Sequence, residues 1–313
     1  MLRRAARFLP IALALAASTA TAQPRLDQPA APSIADRAVA GYRYERFELA
    51  SLDGARHYRV QVAIPDRPAP AAGFRSVWLL DGNAAFPAIA DADVQRLLAS
   101  GDAPVIVAIG PATGLRLDVE ARAFDYTPAA PGGGPEPDPD RPGRTVGGAE
   151  VFFALLEDAI RPRVEALAAL DPGRRTLWGH SYGGLFVLHT LMAHPHAFSH
   201  WVAASPSLWW QDGRILAAAA RWAGPASPAA EHVLVLHGGD EHADAQRRAG
   251  IRAAADPRAA ERARRLAAAP ADAGPALVER LDALARVDAT YRTLPGLTHG
   301  QTLDASVPVA LGF

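Results

Sequence analysis

Strand-like apolar runs alternate with helical stretches along most of this 313-residue chain. Two of these runs, 42–50 and 56–64, flank the turn Asp53-Gly54 and predict an N-terminal antiparallel hairpin. Alternation of this kind predicts one large α/β domain, residues 41–313, with a mostly parallel central sheet and helices on both faces. Further strands are predicted at 76–80, 104–109, 175–178, 200–204, 232–237 and 290–294, and helices at 84–99, at 149–170, after Ser181 and between about 256 and 286.

The first 22 residues have the pattern of a secretory signal peptide. A basic start at 3–7 precedes an apolar run at 8–17, and Ala20-Thr21-Ala22 forms a small-residue cleavage site before Gln23. The apolar run is shorter than the roughly 20 residues that a membrane-spanning helix needs. We therefore expect export, and a periplasmic mature protein without stable membrane insertion. A retained N-terminal anchor is the alternative.

Two segments have the composition of connecting loops. Residues 23–40 are rich in Pro and Ala and are predicted to form a linker. Residues 128–148 contain many Gly and Pro and have no apolar periodicity, which predicts a long, mobile loop.

The composition excludes several kinds of chemistry. The chain has no cysteine, and all 32 basic residues are arginine. Thiol nucleophiles, disulfides, iron–sulfur clusters, Schiff-base lysines and P-loop lysines are therefore impossible. A net charge of −1 does not favour nucleic acid, whose phosphates attract basic proteins. The ten histidines lack the spacing of a His-Glu-x-x-His zinc motif, so we predict no metal site and no cofactor.

The clearest chemical motif is Gly179-His180-Ser181-Tyr182-Gly183. A predicted strand leads into it and an apolar helical run, 185–192, leads out, which is the setting of a nucleophile elbow. Small residues are needed on both sides of the serine because the backbone is strained and the helix passes close to the strand. The motif predicts that Ser181 is a nucleophile held above the sheet at a helix N-terminus.

A nucleophilic serine needs a base, and in this fold an acid and then a histidine follow the serine along the chain. His299 lies in the Gly-flanked turn 295–300 after the last predicted strand, so we predict it as the base. Asp240 and Glu241 follow the strand at 232–237, where an orienting carboxylate belongs. We assign the acid to Asp240, the shorter side chain. Glu241 and a Ser–His pair without an acid are the alternatives.

Two backbone N–H groups are needed to stabilise a tetrahedral oxyanion. One should be the N–H of Tyr182, the residue after the serine. The second is expected from the loop after the third strand, where Gly82 permits close approach of the backbone. We predict the N–H of Gly82 or of Asn83 as this second donor.

Around these residues the chain resembles the esterase D-like putative esterases of the α/β-hydrolase superfamily, and among them the periplasmic esterases that open catecholate siderophore trilactones. The resemblance implies an α/β-hydrolase fold, Ser181 as nucleophile and His299 as base. It also implies hydrolysis of an enterobactin-like trilactone in iron acquisition. The resemblance is carried by LLDGNA at 79–84, PVIVAIG at 104–110, FDYTPA at 124–129, LWGHSYGGLFVL at 177–188, ASPSL at 204–208 and LTHG at 297–300.

The resemblance further implies that the segment around 122–126 borders the active-site cleft. We expect Arg122 to meet the negative charge of a ferric catecholate, with Tyr126 beside it. Another ester specificity, acyl transfer on the same scaffold, and siderophore binding without catalysis are the alternative functions. Large aromatic side chains near the serine would form a flat ligand platform or pack in the core: Trp178, Tyr182, Trp209 and Trp210.

Overall fold

The computed structural model describes residues 28–139, 141–226, 229–253, 270 and 272–313. The predicted signal peptide and the first part of the helical stretch predicted between about 256 and 286 lie outside these residues. The strands are β1 (Tyr42–Ala50), β2 (His57–Pro65), β3 (Phe74–Leu79), β4 (Val105–Pro111), β5 (Glu136–Pro137), β6 (Thr145–Val146), β7 (Leu170–His180), β8 (His200–Ala204), β9 (Glu231–Gly238) and β10 (Val287–Leu294). The helices are α1 (Gly82–Ala85), α2 (Asp91–Ala99), α3 (Val119–Asp125), α4 (Ala149–Leu155), α5 (Arg161–Leu167), α6 (Tyr182–Ala193), α7 (Trp210–Arg221), α8 (Glu241–Ala253), α9 (Ala273–Asp282) and α10 (His299–Gly312), and a π-helical segment, Leu156–Ile160, joins α4 to α5.

Eight strands form one sheet in the order β1-β2-β4-β3-β7-β8-β9-β10. β1 pairs with β2, and β2 with β4, in antiparallel fashion, whereas every neighbouring pair from β4 to β10 is parallel. This sheet confirms the predicted α/β-hydrolase architecture with its N-terminal antiparallel pair. Because neighbouring parallel strands end at the same edge of a sheet, the residues that follow β3, β7, β8, β9 and β10 meet there.

Helices cover both faces of the sheet, as predicted. On one face, Phe152 of α4 and Phe186 of α6 are buried with one set of strand side chains. On the other face, Val94 of α2 and Val307 of α10 are buried with the alternate set. A strand that is covered on both faces has no polar side, which explains continuous apolar runs such as the one in β4.

Two segments that we predicted to be loops are instead packed on the domain. Within the described part of the predicted linker, residues 28–40, Ile34 is fully buried, and the Ala30 N–H donates to the Gly114 carbonyl at 2.9 Å. Within 128–148, β5 and β6 form a small hairpin in which the buried Arg144 Nε donates to Asp138 Oδ2 at 2.6 Å. The described parts of both segments are mostly irregular structure, and buried side chains such as Ile34 and Arg144 anchor them to the domain.

Within the described ranges, no helix combines the length and the apolar character needed to cross a bilayer.

Candidate active site

Ser181 occupies the sharp turn between β7 and α6. Its backbone has φ 59° and ψ −113°, a combination that residues other than glycine rarely adopt. A side-chain carbon on Gly179 would come within 2.3 Å of the Gly183 carbonyl oxygen, so glycine is required for this close approach. The Ser181 N–H donates to the Ala204 carbonyl at 2.9 Å and holds the turn against the end of β8. The turn therefore has the strained geometry of a nucleophile elbow.

The Ser181 hydroxyl lies beside a second serine. Ser181 Oγ is 3.2 Å from Oγ of the buried Ser207, and the Ser207 N–H donates to the Ser181 carbonyl at 3.1 Å. The hydroxyl forms this hydrogen bond rather than one with His299. Contacts between a nucleophile and its base are often long in unliganded enzymes and tighten when substrate binds. Ser207 lies in the ASPSL segment, but no local pattern marked it as a residue of the site.

His299 is hydrogen-bonded to a carboxylate. Its Nδ1 lies 3.0 Å from Glu241 Oε2, and both residues begin helices that directly follow the neighbouring strands β9 and β10. The other oxygen, Glu241 Oε1, accepts hydrogen bonds from Ser205 Oγ, from the Gly238 N–H at 2.6 Å and from Thr302 Oγ1 at 3.0 Å. These three donors fix the carboxylate, so that Oε2 is directed at His299.

The carboxylate at His299 thus belongs to Glu241, whereas we had assigned the acid to Asp240. The side chain of Asp240 is exposed, and its backbone N–H donates to the Leu297 carbonyl at 3.0 Å. Side-chain length was the wrong criterion. The direction of the chain at the start of α8 turns residue 241 back to the sheet edge and residue 240 toward solvent.

The charge of Glu241 follows from its surroundings. Burial alone would raise the pKa of Glu241, but the hydrogen bond and positive charge of His299, the charge of His237 and the Ser205 hydrogen bond bring it to about 2. The group is therefore an ionised carboxylate at neutral pH. A carboxylate held at Nδ1 can fix the tautomer of His299 and stabilise the imidazolium that would form when Ser181 loses its proton.

The ring of His180, the residue between Gly179 and Ser181 in the motif, packs against the ring of His299. Their ring centroids are 4.6 Å apart, and His180 Nε2 lies 2.9 Å from the His299 carbonyl oxygen. Since a carbonyl can only accept, Nε2 of His180 carries a proton and donates it. Burial, together with the charges of His299 and Arg122, holds the pKa of His180 well below its usual value, so the ring is neutral. No sequence signal pointed to this contact.

The predicted oxyanion loop lies after β3, next to the nucleophile elbow. Asp81 has a left-handed backbone, with φ 50° and ψ 45°, and α1 starts at Gly82. A side-chain carbon on Gly82 would come within 2.7 Å of the Ile109 nitrogen, so the loop lies directly on β4. The N–H groups of Gly82 and Asn83 donate to no partner within the described part of the chain, which leaves both free for an oxyanion. The Asn83 side chain anchors the loop by donating to three carbonyls, those of Pro111, Thr113 and Leu115.

Two of the aromatic residues predicted to bind substrate are core residues instead. Trp178 is 0% exposed, and its indole N–H donates to Ser306 Oγ at 3.1 Å. Tyr126 is 4% exposed, and its hydroxyl accepts the Asp81 N–H at 3.1 Å. For Trp178, proximity to the serine along the chain was misleading, because alternate residues of a doubly covered strand point into its two cores. Tyr126 lies at the C-cap of α3, where its hydroxyl holds the chain at the end of β3.

The other two predicted binding residues, Arg122 and Trp209, differ in their contacts. Arg122 is partly buried and donates to both carboxylate oxygens of Asp81, at 3.0 and 2.8 Å, so its charge is paired within the protein. Trp209 is partly buried, with its ring centroid 6.2 Å from that of Tyr182. Trp209 therefore stays a predicted ligand contact, and the predicted contact of Arg122 with substrate stays untested, although its guanidinium already pairs with a carboxylate of the protein.

Comparisons with known proteins agree with this geometry. The chain is 42% identical over 181 residues to the apo-salmochelin esterase of Escherichia coli O6:H1, which covers 58% of this chain and 56% of that protein. It is 37% identical over 173 residues to the ferri-bacillibactin esterase of Bacillus subtilis, which covers 54% of this chain and 60% of that protein. The matches thus span little more than half the length of these curated relatives.

A solved structure matches over more of the chain. This chain superposes on the solved structure of an enterobactin and salmochelin hydrolase with a TM-score of 0.66 and 33% sequence identity. The match covers 89% of this chain and 97% of that one. The family model described as putative esterase matches residues 51–271, a range that includes Ser181 and Glu241. Because that match covers more than half of the sequence, the chain belongs to the putative esterase family.

Proposed function

We propose that this protein is a serine esterase that hydrolyses the ester bonds of a catecholate siderophore trilactone and so takes part in iron acquisition. The observation that carries the proposal is the strained Ser181 turn at the same sheet edge as the hydrogen-bonded Glu241–His299 pair. The similarity to esterases named for salmochelin, bacillibactin and enterobactin supports the substrate class.

In the proposed reaction, Ser181 Oγ attacks the ester carbonyl while Nε2 of His299 accepts its proton. The N–H of Tyr182 and that of Gly82 or Asn83 would bind the resulting oxyanion. Collapse of the tetrahedral intermediate breaks the ester C–O bond, and His299 returns its proton to the leaving alkoxide. Water then attacks the acyl-enzyme with His299 as base, releasing the acid and restoring the Ser181 hydroxyl.

The aromatic part of the substrate has a candidate contact in Trp209. Its ring is tilted by 39° from that of Tyr182, the residue that begins α6 directly after the nucleophile. Directly after Trp210, residues 211–213 have left-handed backbones, so the chain bends sharply beside this pair. A partly exposed indole at this position suits a flat catechol ring, since stacked aromatic rings gain about 0.5–1.5 kcal/mol beyond the area they bury.

A panel of esters tests the proposed substrate class. We expect the protein to cleave cyclic and linear catecholate esters at least about tenfold more efficiently, in kcat/KM, than short aliphatic esters. Trp209→Ala should lower kcat/KM by about fivefold for the catecholate esters, because it removes one stacking ring worth about 1 kcal/mol. It should change kcat/KM for the aliphatic esters little. Mass spectrometry of the products, with and without bound iron, provides the measurement.

Three results of that panel would contradict the proposal. Equal efficiency on all esters would indicate a general carboxylesterase. Transfer of the acyl group to an added alcohol in place of hydrolysis would indicate an acyltransferase. Binding of the siderophore without any cleavage would indicate a binding protein.

We also propose a periplasmic location, supported by the basic and apolar pattern of residues 1–22. The mature protein should begin at Gln23 and partition with soluble periplasmic contents. N-terminal sequencing of the fractionated protein measures this, and an intact Met1 on membrane-bound protein would contradict it.

A further inference from the structure

One guanidinium group connects the two strand ends that carry the predicted oxyanion donors. Arg122 donates to both carboxylate oxygens of Asp81, at 3.0 and 2.8 Å, and also to the His180 carbonyl at 3.1 Å. Asp81 directly precedes Gly82 at the end of β3. His180 is the last residue of β7, two positions before Tyr182. Arg122 therefore holds the chain just before each half of the oxyanion hole.

Most of this ion pair is removed from solvent. The side chains of Arg122 and Asp81 are 13% and 3% exposed. The guanidinium carbon lies 5.8 Å from the ring centroid of Tyr126 and 5.7 Å from that of Tyr182. Burial opposes the charge, but Asp81 raises the pKa of Arg122 above its usual value, so the guanidinium stays charged. With these donors paired inside the protein, Arg122 can act on catalysis by holding its protein partners.

The contacts also account for the unusual backbone of Asp81. A left-handed residue other than glycine persists only where its surroundings hold it. Here the side chain of Asp81 is held by Arg122 and its N–H by the Tyr126 hydroxyl at 3.1 Å, and both partners belong to α3 and its C-cap. The turn at Asp81 directs the chain out of β3, so that the N–H groups of Gly82 and Asn83 stay free.

We infer that Arg122 is a positioning residue for the oxyanion hole: by bridging the Asp81 carboxylate and the His180 carbonyl, it sets the spacing between the Tyr182 N–H and the N–H of Gly82 or Asn83. The inference rests on the proposed esterase function. Oxyanion donors must lie about 2.7–3.1 Å from where the oxyanion forms, which is not where the substrate carbonyl oxygen lies. A change in spacing therefore weakens binding of the transition state more than binding of the substrate.

Kinetics on a neutral p-nitrophenyl ester test this, because such a substrate has no charge for Arg122 to recognise. Arg122→Gln should lower kcat about 100-fold, close to the loss of one oxyanion donor, and leave KM within about threefold. It should weaken a trifluoromethyl ketone inhibitor, which forms an oxyanion on Ser181, in the same proportion. Arg122→Lys should recover part of kcat, because lysine keeps the charge without the planar fork.

Arg75 provides a matched control at the opposite end of β3. Its side chain is 12% exposed, and it donates to the carbonyls of Asp102 and Leu311 at 2.8 Å and pairs with the Asp102 carboxylate at 3.2 Å. Arg75→Gln therefore removes an equally buried bridging arginine far from the oxyanion loop. We expect it to lower the melting temperature but to keep kcat within about threefold of wild type.

Several results would overturn the inference. A higher KM with unchanged kcat in Arg122→Gln would show that Arg122 binds substrate directly, and an equal loss of kcat in Arg75→Gln would show a general loss of structure. If Arg122→Gln does not fold, Arg122→Lys and Asp81→Asn provide the test. Each should lower kcat and leave KM nearly unchanged, and a normal kcat in both variants would refute the inference. Fluorophosphonate labelling and ester turnover of the wild type test the proposed function separately. If the wild type is active and the variants keep its kcat, only the role of Arg122 is refuted.

Discussion

Replacement of Ser181 by alanine should lower kcat for ester hydrolysis by at least about 10⁴-fold, because the variant lacks the oxygen that forms the acyl-enzyme. The fold should survive, since the change removes one atom at a turn that is held by backbone hydrogen bonds to Ala204 and Ser207. Turnover of a neutral ester measures the effect, and circular dichroism checks the fold. A fluorophosphonate probe should label wild-type protein at Ser181 and leave the variant unlabelled.

Ser199 is the matched control for this experiment. It is also partly buried, but it lies just before β8, where its hydroxyl contacts His200 Nδ1 at 2.9 Å. Ser199→Ala should keep kcat within about twofold and still be labelled at Ser181. Activity of Ser181→Ala within tenfold of wild type, or labelling at another serine, would contradict the assignment of the nucleophile.

Glu241→Gln should lower kcat by about 10⁴-fold, whereas Asp240→Asn should keep it within about threefold. An amide in place of the carboxylate no longer fixes the correct tautomer of His299 or stabilises its imidazolium. Asp240 is the natural control because it is adjacent in sequence but exposed, and the hydrogen bond between residues 299 and 241 does not involve it. If both variants keep kcat within tenfold, the enzyme would work with a Ser–His pair alone.

The same two variants should also differ in the free energy of unfolding. The pKa of Glu241 falls from an ordinary value of 4.5 to about 2 in the folded protein. Because the folded value is the lower one, this carboxylate stabilises the fold fully above about pH 4.5, and the contribution is lost as the pH falls toward 2. A difference of this size corresponds to about 3 kcal/mol. Urea unfolding should therefore show a gap between wild type and Glu241→Gln at pH 7 that closes near pH 2, and no such gap for Asp240→Asn.

The features that the sequence predicts correctly are those set by local pattern. β1 and β8 have the predicted bounds, because alternating or continuous apolar residues and flanking turn residues are visible in a short window. The strand–Ser181–helix turn was also predictable, because Gly179 and Gly183 are local requirements of its strained backbone. By contrast, we predicted a turn around His299, where the structure has the start of α10, a helix whose Gly300 and Pro308 hide its pattern.

The remaining features depend on which side chains meet across the fold. Glu241 and His299 are 58 positions apart, and their contact depends on the parallel pairing of β9 with β10 and on the direction in which α8 leaves the sheet. The pairing of Arg122 likewise depends on Asp81, 41 positions away, whose two carboxylate oxygens accept hydrogen bonds from its guanidinium. Sequence by itself therefore predicted the fold class, the strand–Ser181–helix turn and the helix that follows this turn. Tertiary structure alone decided which carboxylate faces His299 and that Arg122 forms an ion pair with Asp81. Both contacts depend on distances between strand ends, which no local pattern encodes.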